Sequence, residues 1–189
     1  MRNLKSLSIV LLILFSFQKG NAQTSKIDIT KSNIHWIGKK ITGEHEGSIK
    51  FKDGYLVFKD KKVSGGSFTV DMTSLSNTDQ TGTSKQKLEG HLKSEDFFNT
   101  ATYSTSTLIF KSIASKGNNT YLITGDLTIK GSTSSIQFDL VVVDKNKATA
   151  TFNVNRTKYD IKYGSGSYFD DLGDKTIYDD FELNVVLVF

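Results

Sequence analysis

From Ser32 to Phe189, apolar and polar residues alternate with a period of two along most of the chain. That pattern suits a strand with one buried face and one wet face. Phe68, Val70 and Met72 alternate with Ser67, Thr69 and Asp71, and Tyr121, Ile123, Leu127 and Ile129 alternate with Leu122, Thr124, Asp126 and Thr128. The same rhythm returns at Ile136 to Val142, at Ala148 to Val154 and at Phe181 to Phe189. Eight or nine such runs at short spacing predict an all-β fold, an eight-stranded antiparallel barrel, because closure removes the edges a sandwich would have to protect. Pairing the strand that ends at Phe189 with the first strand would seal it. Proline is absent, so no strand carries the residue that often guards an edge.

Two local signals punctuate the alternation. Asp53-Gly54 lies between Ile49-Lys50-Phe51 and Tyr55-Leu56-Val57-Phe58, and such a pair supplies the positive φ angles of a two-residue hairpin, so a turn is expected there. Ser84 to Leu92 is rich in good helix formers, and Ser94 is placed to cap a further short turn through Phe98. The expected architecture is therefore a barrel with a short helical cap.

Residues 1–22 read as a secretory leader: Arg2 and Lys5 precede the apolar run Leu7–Phe17, and small or polar residues end at Ala22. An apolar run of roughly 11 residues is too short to cross a membrane that takes about 20 helical residues. The expected product is residues 23–189, periplasmic or secreted, with no stable membrane insertion. Losing Arg2, Lys5 and Lys19 leaves 21 basic against 20 acidic side chains, a net charge of +1. A nearly neutral domain offers little to a phosphate backbone, so nucleic acid is not an expected partner. The chain has no cysteine, which removes disulfides and thiolate chemistry together.

An eight-stranded barrel is either filled by its own side chains or open enough for one small ligand. The inward set here is Phe, Val, Ile and Leu, so any ligand held inside has to be largely apolar.

Several blocks carry a resemblance: Trp36-Ile37-Gly38-Lys39 followed by Gly43-Glu44-His45-Glu46-Gly47, then Gly66 to Met72, Leu88-Glu89-Gly90-His91-Leu92-Lys93-Ser94-Glu95-Asp96-Phe97-Phe98, Thr124 to Gly131, and Phe152 to Arg156. In this order they resemble the YceI-like family of exported lipid-binding proteins along essentially the whole of residues 23–189. The resemblance implies a lipocalin-like barrel whose elongated cavity takes polyisoprenoid chains such as those of quinones or isoprenyl phosphates. The chain departs from the family pattern at Lys130, where relatives commonly carry His, at Tyr103-Ser104, where they carry Tyr-Pro, and in the longer segment Tyr159–Asp180.

Trp36, Phe68, Phe97, Phe98, Tyr103 and Phe152 are the candidate lining of such a tunnel, with ordinary core packing as the alternative. His45 and His91 stand at the family's His positions and are candidates to hydrogen-bond a head group. By parity Arg156 points inward, where a charge needs a partner: either an internal carboxylate such as Asp71 or Asp126, or a ligand's phosphate or carbonyl. His35, His45 and His91 lack the short spacing of a metal site, and no metal is expected. The acids Asp170, Asp171, Asp174, Asp179 and Asp180 do not match a calcium loop and read as a solvated loop, with Gly164, Gly166 and Gly173 making it a lid candidate.

The expectation that follows is a non-enzymatic binding protein that sequesters or transports an amphipathic isoprenoid or similar long-chain lipid, with no cofactor. An acid/base enzyme using His45 or His91 with a carboxylate is the alternative, and a surface or adhesion module is a third class. The sequence leaves the oligomeric state open, a dimer included.

Overall fold

Three of the barrel's hairpins turn through a residue pair with positive φ at both positions: Asp60-Lys61, Asn118-Asn119 and Lys130-Gly131. This is the backbone twist that two-residue hairpins require. The computed structural model describes residues 22–189, so nearly all of the expected leader lies outside the described residues. The strands are β1 (Ala22–Lys26), β2 (Asn33–Lys40), β3 (Gly43–Lys59), β4 (Lys62–Asn77), β5 (Thr105–Gly117), β6 (Thr120–Ile129), β7 (Ser132–Asp144), β8 (Lys147–Asn155) and β9 (Ile177–Val188). One helix, α1 (Gly82–Lys93), joins β4 to the chain leading into β5.

The sheet runs β3-β2-β9-β8-β7-β6-β5-β4 and closes through β4 pairing back onto β3, giving an eight-stranded antiparallel barrel. The C-terminal strand β9 pairs with β2, Ile34 opposite Val185 and Trp36 opposite Leu183, which is the closure the alternation predicts. The additional strand β1 lies on the far half of β3. Every inward residue named from the alternation is buried or half-buried, and together they form two core clusters, a larger one and one with Leu127, Ile129 and Val154, both packed against Leu108, Ile136, Phe152 and Leu183.

The hairpin expected at Asp53-Gly54 is absent. β3 continues through that pair, with Asp53 opposite Thr69 and Gly54 opposite Phe68 on β4, and it turns only at Asp60-Lys61. What the sequence disguised is a β-bulge: Phe51 pairs with Val70 and Asp53 with Thr69, so one residue is skipped. A bulge moves the inward set from one parity to the other, from Ile49 and Phe51 to Gly54 and Leu56. Gly54 is required by close approach rather than by a turn, since a Cβ there would lie 2.6 Å from the Phe68 ring.

α1 presents Leu88, His91 and Leu92 on one face, at the spacing of adjacent helical turns. It is pinned to β4 by Glu89, whose Oε1 accepts from the Ser76 hydroxyl at 2.9 Å and the Asn77 N–H at 2.8 Å. Ser94 ends this helix rather than capping a new one through its side chain, because its hydroxyl donates back to the His91 carbonyl at 2.8 Å. The turn after it does form, with the Phe97 N–H donating to the Ser94 carbonyl.

Candidate ligand cavity

One end of the barrel is packed shut. Ile27, Leu56, Val63, Ala148 and Leu187 are buried there, and the rings of Phe58 and Phe189 meet at 5.4 Å. The other end opens beneath α1. Between them lies a cavity of about 220 Å³, walled by β2, β3, β4, β5, β6, β7, β8, β9 and α1. Its wall is apolar through the shaft, with Phe51, Phe68, Phe110, Phe138, Phe152 and Phe181 among the lining. The lysines, the histidines and Asp180 that reach it gather around the mouth.

Of the sequence-predicted lining residues, Trp36, Phe68, Phe97, Phe98 and Phe152 all line this cavity. Phe97 and Phe98 sit at the helical end, their rings 5.7 Å apart, and Phe98 meets Phe181 edge-on at 6.3 Å. Tyr103 does not belong to the wall. It packs against the turn at Gly131, where a Cβ would come within 2.9 Å of its ring. A glycine with φ of +76° in that hairpin turn leaves a shelf, and the tyrosine covers it. Lys130, in the same turn, donates to the Glu95 carbonyl at 2.9 Å and the Asp160 carbonyl at 3.4 Å, so it ties two mouth loops together.

His45 and His91 both reach the cavity. His45 Nδ1 lies 2.8 Å from Asp79 Oδ2. Burial would raise the Asp79 carboxyl, but hydrogen bonds from His45, the Glu46 N–H and Asn77 outweigh it and bring the group down to about 2. A carboxylate at that distance favours the tautomer protonated on Nδ1. The His91 ring packs edge-on to Tyr163 at 4.4 Å and Phe97 at 5.2 Å, and its Nε2 is buried without a partner. His35 is on the outer face of β2, 3.3 Å from Glu46, so the structure does not bring the three imidazoles together.

Arg156 is buried, as parity predicts, and lines the mouth. Its partner is neither Asp71 nor Asp126. Both acids lie on outward positions: Asp71 accepts from Thr73, and Asp126 pairs with Lys111 at 3.5 Å. Instead Nε donates to the Tyr178 carbonyl at 3.1 Å, Nη1 to Ile161 at 2.9 Å and Nη2 to Ile177 at 3.0 Å, with Asp179 at 3.7 Å. Burial lowers the guanidinium's pKa, and the charge of Asp179 works the other way. The guanidinium thus knits the start of β9 to the loop after β8, while its central carbon lies over the Phe97 ring, 5.6 Å from the centroid.

Asp170, Asp171 and Asp174 lie on an exposed stretch, as a solvated loop requires, but the segment that leads to them is built into the fold. Tyr159, Ile161 and Ser165 are wholly buried, and Asp179 pairs with Arg156 and accepts from the Ser167 hydroxyl at 2.6 Å. Parity could place Arg156 inward, but no local signal could have linked it to Asp179, because that contact is made by the chain folding back over the mouth. Sequence reasoning also missed Lys40, which reaches the cavity because it continues the inward parity of Ile34, Trp36 and Gly38 along β2.

The YceI-like domain model matches residues 26–189. The chain is 36% identical over 84 residues to a UPF0312 protein of Shewanella denitrificans and 31% identical over 97 residues to Protein YceI of Escherichia coli. These alignments take in 44% and 51% of this chain and 42% and 48% of the relatives, so the chain spans about half the length of the curated relatives it matches. Among solved structures, BcnA of Burkholderia cenocepacia superposes with a TM-score of 0.70 at 22% identity, covering 86% of this chain and 99% of that one. A polyisoprenoid binding domain from Saccharophagus degradans superposes at 0.57 with 16% identity, covering 89% and 97%. At these identities the superpositions speak for the fold alone. A barrel of this topology, matched by the family model along nearly its whole described length, belongs to the YceI-like domain family.

Proposed function

We propose that the protein is an exported carrier that sequesters or transports an amphipathic isoprenoid or a similar long-chain lipid, holding the chain in the barrel and the head at the mouth. The observation that carries this reading is a phenylalanine-walled shaft, packed shut at one end, whose polar neighbours are confined to the other. A water-insoluble chain gains about 25 cal/mol for each Å² of apolar surface it withdraws from water there. The polyisoprenoid-binding relative of the same fold supports this class of ligand, and the leader-like first 22 residues support export.

Native mass spectrometry of the purified protein tests the reading. Bound molecules of isoprenoid or long-chain lipid mass are expected, with occupancy reduced in Phe98→Asp, which places a charge at the half-buried mouth. Protein that emerges empty and takes up no added isoprenoid would overturn it.

The pair His45 and Asp79 favours one second reading, acid/base chemistry on a similar substrate, because the two groups are within hydrogen-bond reach beside the cavity. Its signature is a product of altered mass from a bound isoprenoid, lost in His45→Ala. Unaltered ligand recovered from the wild type after prolonged incubation excludes it.

A further inference from the structure

We infer that the mouth contains a niche for an acidic head group, a phosphate or carboxylate carried on the apolar chain, with Lys40 as its cation. This rests on the reading of the cavity as a lipid site and specifies which end of the lipid the protein recognises.

The inner face of β2 carries Ile34, Trp36, Gly38 and Lys40 in succession from the shaft to the mouth, and all four line the cavity. A Cβ at Gly38 would meet nothing within 4 Å, and the same holds at Gly43, which pairs with Lys40 across the β2–β3 hairpin. An open space therefore lies where two side chains would otherwise stand. Its register partner across the hairpin is His45, opposite Gly38.

The charges around that space do not balance each other. Lys39 lies 3.9 Å from Glu44, and Arg156 is committed to three carbonyls and Asp179. Asp79 is committed to His45, the Glu46 N–H and Asn77. Asp180, the one acid that reaches the cavity, is on an exposed position of β9. Lys40 has no ion pair or side-chain hydrogen bond among the described residues, whereas Lys39 and Arg156, which also line the cavity, do. Two further polar atoms of cavity-lining residues are buried without partners, Trp36 Nε1 and His91 Nε2.

An unpaired ammonium beside an open space over a glycine is what an anionic, oxygen-rich head group would satisfy, and the Trp36 indole N–H is a further unpartnered donor on the cavity wall. Charge-assisted hydrogen bonds to such a group are roughly twice as strong as neutral ones. A neutral alcohol or quinone head would leave the ammonium unmatched.

The test compares geranylgeranyl monophosphate with geranylgeraniol, which share one tail, by titration of residues 23–189 followed through Trp36 fluorescence and calorimetry. The wild type is expected to bind the phosphate at least tenfold more tightly than the alcohol. Lys40→Gln should erase most of that difference, and Gly38→Val, which fills the open space, should weaken the phosphate more than the alcohol. Equal affinities in the wild type, or a difference that survives Lys40→Gln, would overturn the niche while leaving the cavity reading intact. If neither compound binds, the cavity reading fails and the niche with it. Inorganic phosphate is the third arm: heat as strong as that of the lipid phosphate at equal concentration would assign the site to free phosphate and overturn the head-group inference.

Discussion

Phe138 on β7 and Phe152 on β8 stack with ring centroids 4.4 Å apart and planes 19° from parallel, at a level where their strands share no ladder hydrogen bonds. β7 and β8 pair only at Val141–Thr149, Val142–Ala148 and Asp144–Lys147, next to their turn. Toward the mouth the two strands part, and the ring stack stands in for the missing backbone bonds.

This seam is expected to be the weakest line in the barrel wall. Every second amide of β7 from Ser132 to Leu140 faces it, while the others bond to β6. Hydrogen exchange measured residue by residue should show the seam-facing amides exchanging faster than their β6-bonded neighbours. Phe152→Ala should widen the contrast and cost about 1–3 kcal/mol in chemical denaturation. That is less than the roughly 3–5 kcal/mol of a fully packed phenylalanine, because the ring already borders a cavity.

Gly47 lies beneath the Trp36 indole, where a Cβ would fall 2.0 Å from the Ser76 carbonyl oxygen and 2.5 Å from the ring. The carbonyl is backbone and cannot swing away. Gly47→Ala is expected to destabilise the barrel by about 3 kcal/mol or more. Since Trp36 is the chain's single tryptophan, urea unfolding followed by its fluorescence reads both the loss of stability and any displacement of the indole.

Arg156 satisfies the carbonyls of Tyr178, Ile161 and Ile177 and is 2% exposed. Arg156→Met keeps the volume but leaves those acceptors and Asp179 without their cation. A loss of about 3–5 kcal/mol is expected, which for a protein of this size lowers Tm by roughly 6–20 °C. Arg156→Lys keeps the charge without the planar fork that reaches three carbonyls, and thermal unfolding should place it between the two.

The acid limb of stability should carry the mark of Asp79. Its folded carboxyl titrates at about 2, against an ordinary 3.8. The stability it contributes is complete above about pH 4 and is lost as pH falls toward 2. Asp79→Asn should cost about 1–2 kcal/mol at neutral pH, the full shift being discounted for partial exposure. Denaturation at a series of pH values should show variant and parent converging near pH 2. A constant gap down to that pH would show that the carboxylate contributes nothing through its charge.

Alternation alone was enough to specify an antiparallel barrel, because a period of two with one apolar face has few ways to bury that face. It also placed Phe68, Phe138, Phe152 and Arg156 inside, since parity is a local property of an extended chain. It failed at Asp53-Gly54, where a bulge imitates a turn: both break the alternation by one residue, and only pairing with Thr69 and Phe68 on β4 distinguishes them. Contacts between segments far apart in the chain had no local signal. Arg156 meets Asp179, His45 meets Asp79, and Tyr103 is drawn from the cavity to Gly131. The sequence by itself determined which face of each strand is apolar, because that depends on the order of neighbouring residues. The tertiary structure alone decided which polar groups share the mouth and which are left unpaired, because that depends on how the closed sheet brings distant loops to one end.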